Sequence, residues 1–152
     1  MIYIFLIILL CLDLLTKYYF HAHYQTIKVL PFLNFKLALN AGVAFSLFQK
    51  NTTFTILLPF FFLIFCIYIF IKEKEGIKNF SLGLIIIGGF SNLIERIIYG
   101  NVTDFIDFHI GNWHYPTFNL ADVYITLGII LYIFSFLKKE EKAKKNEKSY
   151  SR

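Results

Sequence analysis

Apolar residues run through this chain in four long blocks, at about 2–20, 54–71, 80–99 and 118–137. Each is close to the roughly 20 residues a helix needs to cross a hydrocarbon core about 30 Å thick. The block at 54–71 carries no charge. The others carry a few: Asp13 and Lys17 late in the first, Glu95 and Arg96 near the end of the third, and Asp122 just inside the fourth. Their remaining residues leave a helix no watery face. The pattern predicts an all-α membrane protein with four transmembrane helices, one domain over 1–152, and a tail at 138–152.

The connections differ in character. Within 21–50, the runs 26–30 and 32–39 have strand-like composition with Pro31 between them. Ala41, Gly42 and Ala44 follow, small enough for close backbone approach. A small sheet outside the bilayer, partly resting on its surface, is predicted between the first and second helices. The 100–117 segment carries Gly100, Gly111 and Pro116 and reads mostly as turn and loop, with Trp113, His114 and Tyr115 suited to the headgroup region.

Composition fixes the class: 57% of residues are hydrophobic, 16% are charged, and Phe alone contributes 19. A soluble domain of 152 residues has too little interior to hide them. The first block lacks a basic n-region and a small-x-small cleavage site, so it is expected to be a retained helix rather than a secretory signal. The net charge of +5 is explained by topology. Lys72, Lys74 and Lys78 occupy the second connection, and the tail from Lys138 holds seven Lys and Arg against three Glu. The positive-inside rule then puts both termini in the cytoplasm and 21–50 and 100–117 outside. The tail has interspersed glutamates and almost no aromatic residues, which suits anionic lipid rather than nucleic acid. Cys11 and Cys66 fall in apolar blocks and read as buried free thiols.

The polar residues at the span ends carry the chemistry. Asp13 and Lys17 are four apart and pair on one helix face, with Lys17 reaching toward the outer interface. Asn92 and Arg96 share a face and suit one common polar target. Asp122 is expensive in a low-dielectric zone unless it shares a proton with a second acid at similar depth. Asp104 and Asp107 are equal rivals for that place. A carboxylate pair with one proton can activate water while donating to a carbonyl. The bland reading of Asp122 is a helix cap bonded to Asn119. Asp107, His109 and His114 match no strong metal spacing, and no phosphate loop or nucleophile elbow is present. A small transporter would use carboxylates as well, but would carry its polar stripe through the full membrane depth.

Five segments resemble the bacterial lipoprotein signal peptidase (signal peptidase II) family. Asp13-Leu14-Leu15-Thr16-Lys17 is similar to its Asp-x-x-Thr/Ser-Lys element, and Asn40-Ala41-Gly42-Val43-Ala44-Phe45 to Asn-x-Gly-x-Ala-Phe. Residues 88–96, ending Asn92-Leu93-Ile94-Glu95-Arg96, resemble Gly-Gly-x-x-Asn-x-x-Asp-Arg, with Glu95 in place of the family's usual Asp. Residues 102–106 resemble Val-Val-Asp-Phe-Ile, and 118–122 resemble Phe-Asn-x-Ala-Asp. Ser46 stands where Gly often follows Ala-Phe.

The resemblance implies an intramembrane aspartic endopeptidase that cleaves prolipoproteins on the amino side of a diacylglyceryl-modified cysteine. It implies Asp104 and Asp122 as the catalytic pair, with Asp13, Lys17, Asn40, Gly42, Asn92, Arg96, Asn119 and Ala121 binding substrate or supporting the pair. It further implies four spans of the bacterial inner membrane with cytoplasmic termini, a site near the outer face, a cradle sheet, and a short surface helix near 40–50. Inhibition by globomycin-type cyclic peptides, action as a monomer and no metal or organic cofactor complete the expectation.

Overall fold

The computed structural model describes residues 2–23, 26–42 and 52–150, with side chains described except at 52 and 141–150. Among the described residues four helices are long and apolar enough to cross a membrane: α1 (Ile2–His23), α2 (Thr52–Lys72), α3 (Gly76–Tyr99) and α4 (Leu120–Tyr150). α4 runs well past the expected span end at 137, because the Lys- and Glu-rich segment that follows consists of good helix formers. Outward-facing Phe, Ile and Leu, such as Phe61, Phe65, Ile8 and Phe134, cover the surface the bilayer would wet.

α3 is the buried axis of the bundle and packs against α1, α2 and α4, whereas α2 packs mainly against α3, with an edge-to-face contact between Phe70 and Tyr3 of α1. The α3–α4 approach depends on glycine. A Cβ on Gly88 would stand 2.5 Å from the Ala121 carbonyl oxygen, and one on Gly128 would stand 2.6 Å from that of Ser81. The two backbones therefore meet at both ends of the contact, as small residues permit in membrane helix pairs. Cys66 is buried, but Cys11 lies on the exposed side of α1, and both are free thiols.

The sheet is antiparallel, in the order β1-β2-β3-β4. β1 (Ile27–Leu30) and β2 (Leu33–Asn40) match the two expected runs, with a turn at Pro31 and Phe32. The 100–117 segment departs from expectation, because β3 (Val102–Ile110) and β4 (Trp113–His114) make it half of the sheet. Its glycines are punctuation rather than loop. Gly100, at φ 74°, closes α3 with its N–H on the Arg96 carbonyl, and Gly111, at φ 60°, turns β3 into β4. Residues 102–107 are all buried, yet Thr103, Asp104 and Asp107 are among them, so this strand shows neither an apolar run nor an alternation signal. The surface helix expected near 40–50 lies largely outside the described residues.

Candidate active site

The approach to α4 determines the site. Phe118 bridges to Ile106: the Phe118 carbonyl accepts the Phe105 and Ile106 amides at 3.0 and 2.8 Å, and the Phe118 amide donates back to Ile106 at 3.2 Å. The chain then enters α4 through a reciprocal cap. The Asn119 side-chain oxygen accepts the Asp122 amide at 3.0 Å, and Asp122 Oδ2 accepts the Asn119 amide at 3.2 Å. Asp122 is therefore a cap, as the bland reading required. Its other oxygen, Oδ1, is free of that duty and accepts from Asn92 Nδ2 at 2.9 Å.

Asp104 faces the same place from β3. Asn119 Nδ2 donates to its Oδ1 at 2.7 Å, and Asn40 Nδ2 to its Oδ2 at 3.0 Å. Asn119 thus touches both acids. Burial raises the Asp104 carboxyl most, and the Asp122 charge adds to it. The Asn40 and Asn119 hydrogen bonds and the Lys17 charge oppose the rise, and the balance leaves it at about 7.

The amides are oriented from a buried root. Lys17 is 1% exposed and does not snorkel, in contrast to the expected interfacial anchor, because three acceptors surround it inside the bundle. They are Asp13 Oδ2 at 2.8 Å, Asn92 Oδ1 at 2.7 Å and Ser91 Oγ at 3.1 Å. An ammonium only donates, so Asn92 must turn its oxygen to Lys17 and its NH2 to Asp122. The same oxygen accepts from Asn119 at 3.2 Å. Asp13 receives the Ser91 hydroxyl on Oδ2 and the Ala121 amide on Oδ1 at 2.8 Å, which binds α1 to the first turn of α4. Ser91 was not singled out by sequence reasoning; a serine next to Asn92 in a buried apolar helix was the available signal.

Asn92 and Arg96 do not share a target. Arg96 donates to the Gly42 carbonyl at 2.8 Å, while Gly42 donates to the Asn40 oxygen at 2.9 Å, so Arg96 holds the segment that carries Asn40. All ten residues singled out by the resemblance lie in this one connected cluster. Asp107 does not. It is bonded by Lys36 at 2.9 Å, His114 at 2.8 Å and Asn34 at 3.3 Å, and shares no partner with Asp104. All three aromatic-belt candidates are exposed, but His114 is tied to Asp107 and Tyr115 lines the cleft beside the acids.

Both site acids line a cavity of about 970 Å³. Its polar end holds Asn40, Asn92, Arg96, Asp104 and Asp122, and its apolar walls come from α2 (Leu58, Phe62, Leu63) and α4 (Val123, Leu127). Among the described residues, no group of three or more His, Cys, Asp or Glu is arranged to hold a metal ion.

Four apolar helices around a buried and a half-buried carboxylate, in a cleft walled by the faces of α2 and α4, have the architecture of a membrane-embedded aspartic hydrolase. Comparisons with known proteins agree and narrow the class. The family model for signal peptidase (SPase) II matches residues 5–138. The lipoprotein signal peptidase of Thermodesulfovibrio yellowstonii is 41% identical over 140 residues, spanning 90% of this chain and 92% of that protein. That of Francisella tularensis subsp. novicida is 37% identical over 151 residues, spanning 93% and 94%. Two solved bacterial membrane enzymes superpose with TM-scores of 0.84 and 0.79 at 30% and 31% identity, covering 93% and 90% of this chain and 90% and 92% of theirs. The chain belongs to the signal peptidase II family. It is an aspartic peptidase of that family, acting on lipoprotein signal peptides, and a multi-pass protein of the bacterial inner membrane.

Proposed function

We propose that Asp104 and Asp122 are the catalytic pair, and that they cleave prolipoproteins on the amino side of a diacylglyceryl-modified cysteine. The observation that carries this is the shared hold of Asn119 on both acids. Fully ionised, the connected cluster would hold four acids (Asp13, Glu95, Asp104 and the half-buried Asp122) against two bases (Lys17, Arg96). One proton on the pair relieves that excess, and the Asp104 carboxyl at about 7 is able to keep it near neutrality.

A water between the two carboxyls loses a proton to the ionised acid and attacks the scissile carbonyl, while the protonated acid donates to the carbonyl oxygen. The roles then exchange, and a proton passes to the departing amine. Asn40, Asn92 and Arg96 lie where an extended peptide backbone needs partners in an apolar cleft.

The lipid requirement follows from the walls. Among the described residues α2 and α4 each pack on α3 and both line the apolar cleft, which suits acyl chains that stay in the bilayer while the cysteine reaches the acids. The distribution of Lys and Arg supports cytoplasmic termini and a site near the outer face. Cyclic lipopeptides of the globomycin kind have the chemistry to occupy the same cleft. The enzyme is proposed to work as a monomer, since one chain supplies both acids.

The test offers a diacylglyceryl-modified prolipoprotein and its unmodified form to the purified protein and to Asp104→Asn and Asp122→Asn. Cleavage of the modified form only, abolished in both variants, is expected. Retained cleavage by either variant overturns the pair, and equal cleavage of the unmodified form overturns the lipid requirement.

A further inference from the structure

We infer that Glu95 is a positioning residue, which holds Asp104 against Asp122 by anchoring the start of β3 to the Lys17 cluster. This deepens the reading of Asp104 and Asp122 as the catalytic pair and rests on it.

Glu95 lies in α3 and is 5% exposed. Its Oε2 accepts the backbone amide of Thr103 at 2.8 Å and lies 3.7 Å from Lys17 Nζ. Thr103 is itself fully buried and immediately precedes Asp104. Two routes therefore leave one ammonium. Through Asn92, Lys17 reaches Asp122. Through Glu95 and the Thr103 amide, it reaches the backbone that carries Asp104.

The second route touches the main chain, so it fixes where the strand begins rather than how one side chain turns. The opposite side of this strand end is set by β2, where Ala38 opposes Asp104 and Asn40 opposes Val102. Glu95 supplies the hold from the helical layer, which no strand can provide. An unpaired carboxylate at this depth would be costly, so the contact with Lys17 and the amide is obligatory once Glu95 is there. Its longer arm, compared with the Asp usual in the family, spans from the helix to the strand backbone.

The experiment measures steady-state cleavage of the modified prolipoprotein by the full chain in a bilayer, for wild type, Glu95→Ala and Glu95→Gln. A small misplacement of one reacting group is worth about tenfold to a hundredfold in rate. The expected result for Glu95→Ala is a kcat lower by that amount with KM within about threefold, since binding groups are untouched. Glu95→Gln still offers an oxygen to the Thr103 amide and is expected to recover most of kcat. It also removes a negative charge beside Lys17, which favours the ionised Asp104, so the fall of kcat/KM that loss of the Asp104 proton causes above about pH 7 (the high-pH limb) is expected to move to lower pH.

Wild-type kinetics in Glu95→Ala, equal losses in both variants, or a loss confined to KM overturns the positioning role. If Glu95→Ala fails to fold, the kcat and pH limb of Glu95→Gln decide: near wild-type kcat with a shifted limb supports the role, and an unshifted limb overturns it. Asp104→Asn and Asp122→Asn run alongside. If either still cleaves, the pair falls whatever Glu95 does; if both are inactive and Glu95→Ala matches wild type, only the positioning role falls.

Discussion

Asp104 and Asp107 lie three residues apart on one strand, both buried, and their surroundings send them in opposite directions. Asp104 meets two neutral amides and the charge of Asp122, and burial with that charge lifts it to about 7. Burial pushes Asp107 upward as well, but hydrogen bonds from Lys36, His114 and Asn34, with the Lys36 charge, outweigh it and hold the carboxyl below its usual range. Burial alone therefore does not make an acid chemically useful; the charge of its partners does. A β-bulge separates the two environments. The extra residue in β2 between Phe35 and Ala38 lets Asn34 serve Asp107 while Asn40 serves Asp104. Without it, an even spacing would keep both asparagines on one side of the strand.

The sharpest way to break the contrast is to neutralise each acid in turn. Asp104→Asn and Asp122→Asn are expected to lower kcat by about a thousandfold or more, within the range general acid–base groups supply. Asp107→Asn is expected to stay within about threefold. In Asp122→Asn the remaining oxygen can still cap α4, so folding, checked by thermal unfolding in detergent, should persist. Comparable losses in Asp107→Asn would remove the distinction.

Next in size is the asparagine on each side. Asn119→Ala loses the hold on Asp104 and the cap of α4, and is expected to lower kcat about a hundredfold, with a cap loss of about 1 kcal/mol visible as a lower Tm. Asn34→Ala should leave the rate nearly unchanged. A smaller effect is expected in the pH profile of kcat/KM, which should fall as pH rises past about 7 if the proposed pair needs the proton held by Asp104. A flat profile to high pH would show that this proton is not needed.

The smallest effect concerns stability, and its sign differs between the two acids. Raised to about 7 from 3.8, Asp104 binds its proton more tightly folded than unfolded, so its contribution falls as pH rises between those values. Asp107 is lowered, so its contribution is present above the ordinary carboxylate range and is lost as pH falls through its folded value. Thermal unfolding across pH should show Asp104→Asn flattening the first slope and Asp107→Asn the second. One common slope change in both variants would contradict the assignment of partners.

The sequence by itself determined the four apolar helices, because a block near 20 residues with no polar face has one stable environment. It also determined the β1–β2 hairpin, through Pro31 between two strand-like runs, and it marked Asp13, Lys17, Asn92, Arg96 and Asp122 as charges and amides too costly to sit in spans without partners. It did not reveal β3, whose residues 102–107 are buried on every side and so lack alternation. Without the family resemblance it left Asp104 and Asp107 as equals. Their separation was decided by the bulge in β2, by Phe118 closing on Ile106, and by Gly88 letting α4 lie against α3. These are relations between segments far apart in the chain. A carboxylate's chemistry depends on which charges and amides reach it within a few ångströms, and only the packed molecule sets those distances.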